Sequence, residues 1–365
     1  MQINRISASF ILIFILASIA MAQTTDLKKN LLLLRDGEGG VRPVTDWNDW
    51  NTRRKGILDS IQTVMGKLPA GSGKLKPDIQ IIREDHIKGI RRVRITYSAD
   101  SNDHVPAFIF IPENTGEPVP AILCLHQTIS IGKDEPSGEG GSPDLWYALE
   151  LAERGYVTMA PDYPGYGEYK CDPYAMGYIS ASMKGIRNHM AAVALLQSMP
   201  EVDSNRIGCI GHSLGGHNAL FLAVFDKRIK AVVTSCGFTS FFKYFGGDLT
   251  GWSHKGYMPL VAEKYKRDPA KMPFDFTEIL GAIAPGALFI SAPLHDDNFE
   301  ISGVYDCVRE AEKVYTLMGR EDHLILITPD AGHSFPGGAR GAAYQFFDKE
   351  LDFKSKDLNL KNDKQ

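Results

Sequence analysis

The chain has 365 residues, 44% hydrophobic and 23% charged, with a formal net charge of −4 at pH 7. That is enough for one large domain or two small ones, at the composition of an ordinary soluble protein. The weakly acidic balance, with no basic stripe and no aromatic RNA-binding signature, excludes nucleic acid as an expected partner, and no internal repeat is visible.

Arg5 is followed by the apolar run "FILIFILASIA" and then by Ala20-Met21-Ala22. A basic start, a short apolar core and a small-x-small end describe a secretory signal peptide over residues 1–22, with an uncleaved N-terminal anchor as its rival. The run is short for a membrane span. The expected location is therefore the periplasm or the extracellular space, with a mature chain beginning near Gln23 and no stable membrane partner. Five cysteines leave at least one unpaired. Cys124, Cys209 and Cys236 lie in apolar strand-like runs and read as small buried hydrophobes. Zinc-ligand spacing is absent from the sequence, as is any Cys-x-x-Cys.

Residues 23–84 are expected to form a helical N-terminal extension. In "DWNDWNTRRKGILDSIQTVMGKL" (46–68), Trp50, Ile57, Ile61 and Met65 share a helix face, and Leu68-Pro69 stops it. "GIRRVRITYS" (89–98) and "VPAFIFIP" (105–112) read as antiparallel edge strands. From "AILCLH" (121–126) onward, continuous apolar strands alternate with helices, among them 144–155, 175–199, 302–319 and 338–351. This predicts an α/β fold over 85–352, with a mostly parallel sheet covered by helices on both faces. Residues 238–284, dense in Phe, Tyr and Trp, are too long for a simple connection and are expected to form an inserted cap. The tail, 353–365, is polar and expected to be disordered.

"RIGCIGHSLGGHNALFLAVF" places Gly211-His212-Ser213-Leu214-Gly215 between an apolar strand and a helix. A serine hydroxyl is a poor nucleophile without a base, an acid to orient the base, and donors for the oxyanion. A sharp strand-to-helix turn projects such a serine at the carboxyl edge of a sheet. The helix after it presents free N–H groups and a positive dipole end. Strand, Gly-His-Ser-Leu-Gly and helix resemble the nucleophile elbow of the α/β-hydrolase fold. "APDYPGYGEY" (160–169) resembles an Asp-x-x-Gly-x-Gly turn common in that fold, and the similarity covers most of 85–352.

The resemblance implies the order nucleophile, acid, histidine. "ISAPLHDDNFE" resembles the Asp-Asp-Asn segment of prolyl-oligopeptidase-like members, which points to Asp296 as the acid, with Asp297 as substitute or helix cap. "LILITPDAGHSFP" puts His333 in the loop after the next strand, and no other histidine has that context. His212 is expected to point away from the nucleophile and His217 to be structural. The oxyanion donors implied are the backbone N–H groups of Leu214 and Gln127. Gln127 replaces the usual glycine, and its side chain either narrows the hole or donates. Trp252, His254 and His295 are the candidate substrate-binding residues.

The chemistry implied is acyl transfer without metal or organic cofactor. The rival is a metal site from His126, His295, Asp296 and His333, which lacks a local ligand motif. The chain is also similar to secreted dienelactone-hydrolase-like and acetyl-xylan-esterase-like proteins. That similarity implies a serine esterase acting on small esters, or on acetyl or methyl esters of carbohydrates. The alternatives are a prolyl-oligopeptidase-like peptidase, for which residues 23–100 are too few to form a propeller, and a non-catalytic homologue binding a ligand through the aromatic insert.

Overall fold

The computed structural model describes residues 27–37, 40–113 and 115–356. The expected signal peptide and most of the expected polar tail lie outside the described residues.

The alternation of apolar strands with helices becomes one nine-stranded sheet. Its strands are β3 (Ile79–Ile87), β4 (Ile90–Tyr97), β5 (Val105–Pro112), β6 (Val119–Leu125), β7 (Val157–Pro161), β8 (Val202–His212), β9 (Ile229–Ser235), β10 (Ala287–Ser291) and β11 (Leu324–Ile327). Across the sheet the order is β11-β10-β9-β8-β6-β7-β5-β4-β3. The β6–β11 half pairs in parallel, and β3, β4 and β5 are antiparallel at one side. A short hairpin, β1 (Leu33–Arg35) with β2 (Val41–Pro43), stands apart from it.

The two-residue strand period sorts side chains between the faces. On β6, Ala121, Leu123 and Leu125 enter one core, with α3 (Ala181–Ser198), α4 (Leu214–Phe225), α6 (Phe276–Ile283) and α7 (Ile301–Leu317). Ile122 and Cys124 enter the other, with α2 (Tyr147–Glu153) and α8 (Gly337–Glu350). Strands buried on both sides are why these segments read as unbroken apolar runs.

Helix α1 (Trp47–Met65) begins at Asp46, whose carboxylate accepts from the Asp49 N–H, and ends at Gly66, φ 94°. Its expected stripe of Trp50, Ile57, Ile61 and Met65 is fully buried in the first core, each side chain stabilising the fold by about 1.5–3 kcal/mol. Arg53 and Glu278 of α6 form a buried ion pair at 2.5 Å. The extension is thus packed into the body of the α/β fold.

Two boundaries differ from the sequence reading. Strand β3 crosses the division expected between 84 and 85. Its Ile79, Ile81 and Ile82 are exposed, Ile81 by 61%, so this edge strand lacks the alternation that marks a half-buried one. The expected insert 238–284 also ends in α6, whose Phe276, Ile279 and Leu280 are buried against the main core. Residues 276–283 are the crossover helix between β9 and β10. What remains of the insert is 238–275, with short turns and α5 (Leu260–Glu263). Lys28 fastens it from the N-terminal side, donating to the carbonyls of Pro269 and Met272 at 2.8 and 2.7 Å.

Candidate active site

Ser213 separates the end of β8 from the start of α4, with φ 52° and ψ −114°. A non-glycine residue in that region is strained. The turn closes because Gly211 and Gly215 have no Cβ: one on Gly211 would lie 2.2 Å from the Gly215 carbonyl carbon, and one on Gly215 would lie 1.9 Å from the Leu125 oxygen. Gly215→Ala is expected to cost about 3 kcal/mol or more through this overlap. Gly338→Ala, with nothing within 4 Å of the new methyl, serves as the control in urea unfolding. Similar midpoints for the two variants would refute the close-approach argument.

The Ser213 N–H donates to the Ser235 carbonyl at 2.8 Å, while its hydroxyl makes no hydrogen bond among the described residues. The N–H groups of Leu214 and Gln127 also have no partner among the described residues. Leu214 is the first residue of α4, where the N–H has no intrahelical acceptor. The Gln127 side chain is turned aside: its Nε2 donates to Glu135 Oε1 at 3.0 Å. Next to it His126 Nε2 accepts from the Tyr163 N–H at 2.9 Å, so the proton is on Nδ1, which donates to the Gln127 carbonyl at 2.6 Å. Burial holds the His126 pKa down at about 4.

Asp296 follows β10, two strands across the sheet from β8, and His333 follows β11, three strands across. His333 Nδ1 lies 2.9 and 3.0 Å from the two Asp296 carboxylate oxygens. Oδ1 also accepts from the N–H groups of Asn298 and Phe299 at 2.9 and 3.0 Å. Burial alone would raise the Asp296 pKa, but the hydrogen bond and charge of His333 outweigh it and the carboxyl sits below its ordinary value. The His333 ring lies 5.0 Å from that of His212, centroid to centroid. His212 itself turns to Ser235, its Nδ1 3.0 Å from Oγ. Asp297 is exposed, and the residue preceding α7 is Glu300, so Asp297 is not its cap.

The sequence from residue 144 to residue 361 matches the prolyl oligopeptidase family. The chain belongs to that family. Its fold is that of the α/β-hydrolase superfamily, and it is a hydrolase of that type. It is 28% identical to "Putative hydrolase YtaP" of Bacillus subtilis (strain 168) over 70% of this chain and 87% of YtaP. Several other curated relatives are matched over less than two thirds of their own length. Among solved structures, the glucuronoyl esterase from Solibacter usitatus shares the fold with a TM-score of 0.68 at 18% identity, covering 87% of this chain and 96% of that one. Acetyl xylan esterase 1 from Thermoanaerobacterium sp. JW/SL YS485 has a TM-score of 0.55 at 17% identity, covering 82% and 93%.

Around this prolyl oligopeptidase family site, three candidate binding residues fall in different surroundings. Trp252 is 2% exposed, enclosed by the rings of His217, Phe241, Tyr244, Tyr257, Phe276 and Phe299. It belongs to the core of the insert and offers no surface to a substrate. His254 is exposed, its ring 4.3 Å from that of Tyr257, centroid to centroid, and tilted by 41°. Tyr257 in turn packs against the cluster of Tyr163, Ala181 and Leu214 and shares a 3.2 Å hydrogen bond with Thr128, so the insert does reach the rim near Gln127. His295 is exposed and pairs with Asp330 at 2.8 Å. Two cations that could otherwise meet an anionic substrate, Lys133 and Arg340, are buried and already paired, Lys133 with Asp134, Asp162 and Glu168, Arg340 with Asp144 and Glu150.

The Asp-x-x-Gly-x-Gly turn supports the loop after β6. Asp162 accepts from the Lys133 and Glu168 N–H groups at 2.8 and 3.0 Å, and a Cβ on Gly167 would lie 2.2 Å from its Oδ1. Of the residues in the metal alternative, Asp296 and His333 come together with Cys236, and that trio is the one cluster of metal-ligand type among the described residues. All five cysteines are free thiols. In the sequence Cys236 has the marks of a small buried hydrophobe only, and its closeness to the Asp296–His333 pair has no local signal.

Proposed function

We propose that the protein is a secreted serine hydrolase that cleaves carboxylic esters, with acetyl or methyl esters carried by carbohydrates as its substrate class. The observation that carries the reading is the buried Asp296 carboxylate bonded to His333 Nδ1 on the same sheet edge as the strained Ser213. Asp296 holds the His333 proton on Nδ1 and leaves Nε2 free to take the Ser213 proton. The Ser213 oxygen then attacks the ester carbonyl, and the Leu214 and Gln127 N–H groups receive the oxyanion. His333 returns the proton to the leaving alcohol, and water repeats the sequence on the acyl enzyme. The Ser213–His333 hydrogen bond that this needs forms on substrate binding, since such bonds are often completed only in the substrate complex.

Asp296→Asn is expected to lower kcat about 10⁴-fold, because the amide N–H₂ favours the wrong imidazole tautomer. Asp297→Asn is expected to leave turnover near that of the unaltered protein, and the reverse ranking would transfer the acid's role. The carbohydrate part of the reading is supported by the carbohydrate-esterase names of the structural neighbours and by the export signal read in the sequence. Its test is release of acetate and methanol from acetylated and methyl-esterified glycans, set against p-nitrophenyl acetate. Cleavage of the simple ester with no glycan turnover would leave an esterase of another substrate class.

Family membership and the "HDDNF" segment favour a peptidase as the second reading. Residues 27–112 pack into the hydrolase body as a helix and edge strands, with no gating domain among them. Release of an aminoacyl-peptide chromophore well above ester turnover would reverse the ranking.

A further inference from the structure

Cys236 occupies an unusual place for a buried thiol. It follows β9 with φ 47°, a left-handed conformation that strains a non-glycine residue, although a glycine, Gly237, stands beside it. Two bonds hold it there. Its N–H donates to the Ser291 carbonyl at the end of β10, 3.0 Å away, and its thiol donates to the Ser334 carbonyl at 3.4 Å. One residue therefore ties the strand that leads to Asp296 to the loop that carries His333. Its Sγ, an Asp296 carboxylate oxygen and a His333 ring nitrogen all lie within 4.8 Å of one another.

We propose that Cys236, Asp296 and His333 form a binding site for a thiophilic divalent cation such as Zn2+, and that its occupation switches hydrolysis off. The inference rests on the proposed catalytic roles of Asp296 and His333. One thiolate, one imidazole and one carboxylate are a ligand set that Zn2+ accepts, at about 2.0–2.3 Å from each donor, leaving a fourth position for water. The three atoms have to close in by ~1 Å to reach that geometry. Binding breaks the Cys236 S–H bond, forms a sulfur–zinc bond and releases the proton to solvent. His333 must offer its Nδ1 lone pair, so the one ring proton of the neutral imidazole moves through solvent from Nδ1 to Nε2. An imidazole protonated at Nε2 cannot accept the Ser213 proton, and the carboxylate that oriented it is engaged by the metal. No redox step is involved.

The test uses the full mature chain, Cys236→Ser and Cys236→Ala, each checked for folding by circular dichroism. Micromolar ZnCl2 is expected to suppress p-nitrophenyl acetate hydrolysis by the unaltered protein and EDTA to restore it. With each variant's metal-free turnover taken as its own reference, both are expected to need about tenfold more Zn2+ or above for the same fractional suppression. A second readout is independent of catalysis: Cd2+ added to the unaltered protein is expected to give a thiolate-to-metal charge-transfer band that Cys236→Ala lacks. Equal zinc sensitivity in all three proteins, or the same Cd2+ band in the alanine variant, would overturn the proposal. A Cys236-dependent band in a protein that hydrolyses no ester would leave the metal site standing and remove the esterase reading.

Discussion

Ser213→Ala is expected to lower kcat on p-nitrophenyl acetate by about four orders of magnitude or more, the scale seen when a catalytic serine is removed from a serine hydrolase. Stability is expected to stay within about 0.5 kcal/mol of the unaltered protein. The two outcomes come from one feature. The hydroxyl makes no hydrogen bond with the described residues, so the fold loses nothing when it is removed. The φ of 52° is as strained for alanine as for serine, so the turn gains nothing either. Thermal unfolding of both proteins beside a steady-state assay checks the pair. Equal turnover would make the elbow a piece of architecture, and a non-catalytic binding role would then lead.

A second large effect is expected in acid. Four histidines are buried: His126, His189, His212 and His217. Burial holds their pKa values down at about 4 for His126 and about 3 for the other three. In the unfolded chain each takes a proton near its ordinary value of about 6.5. Below that pH the unfolded state binds protons that the native state refuses, so stability present above pH 6.5 is lost as the pH falls toward 4 and 3. Each histidine contributes up to about 1.4 kcal/mol per pH unit, so the four together reach at most about 5.6 kcal/mol per unit, against a total of about 5–15 kcal/mol for a typical domain. Asp162, pushed up to about 6 by burial, acts in the opposite sense, because the native state protonates it first. Glu135, Asp275 and Glu278 are raised by burial as well, and return part of the loss at lower pH. Urea midpoints measured from pH 7 downward are expected to fall steeply just below 6.5.

His189 allows a clean check. Its Nδ1 is buried with no hydrogen-bond partner, so His189→Leu gives up no bond at that atom. The variant is expected to differ little at pH 7, and to lose about 1.4 kcal/mol less per pH unit than the unaltered protein below 6. Parallel stability curves for the two would show that His189 takes its proton in the folded state.

Much of this was legible in local sequence. The apolar runs of β6 to β11, the stripe of α1 and the glycines flanking Ser213 each act over a few residues, through strand and helix period or the room a turn leaves for Cβ. The strand β3 was not legible, because an exposed edge has no buried face to impose a pattern. The division of 238–284 was hidden for the opposite reason: the aromatics of the insert and the apolar face of α6 join one core, and composition does not separate them. Trp252 shows the same limit in the site. An aromatic in a polar stretch looks like a contact for substrate, yet six rings from four separate segments enclose it.

The sequence by itself determined the α/β architecture, the family resemblance and the order of Ser213, Asp296 and His333 along the chain, since periodicity and turn chemistry are short-range. Only the tertiary structure decided that Asp296 and not Asp297 meets His333, that Gln127 turns its side chain to Glu135, that Lys133 and Arg340 are already paired, and that Cys236 stands against the acid and the histidine. Each of these depends on which loop ends the sheet brings within a few ångströms, and strand order across a sheet is a property of long-range packing that no local pattern encodes.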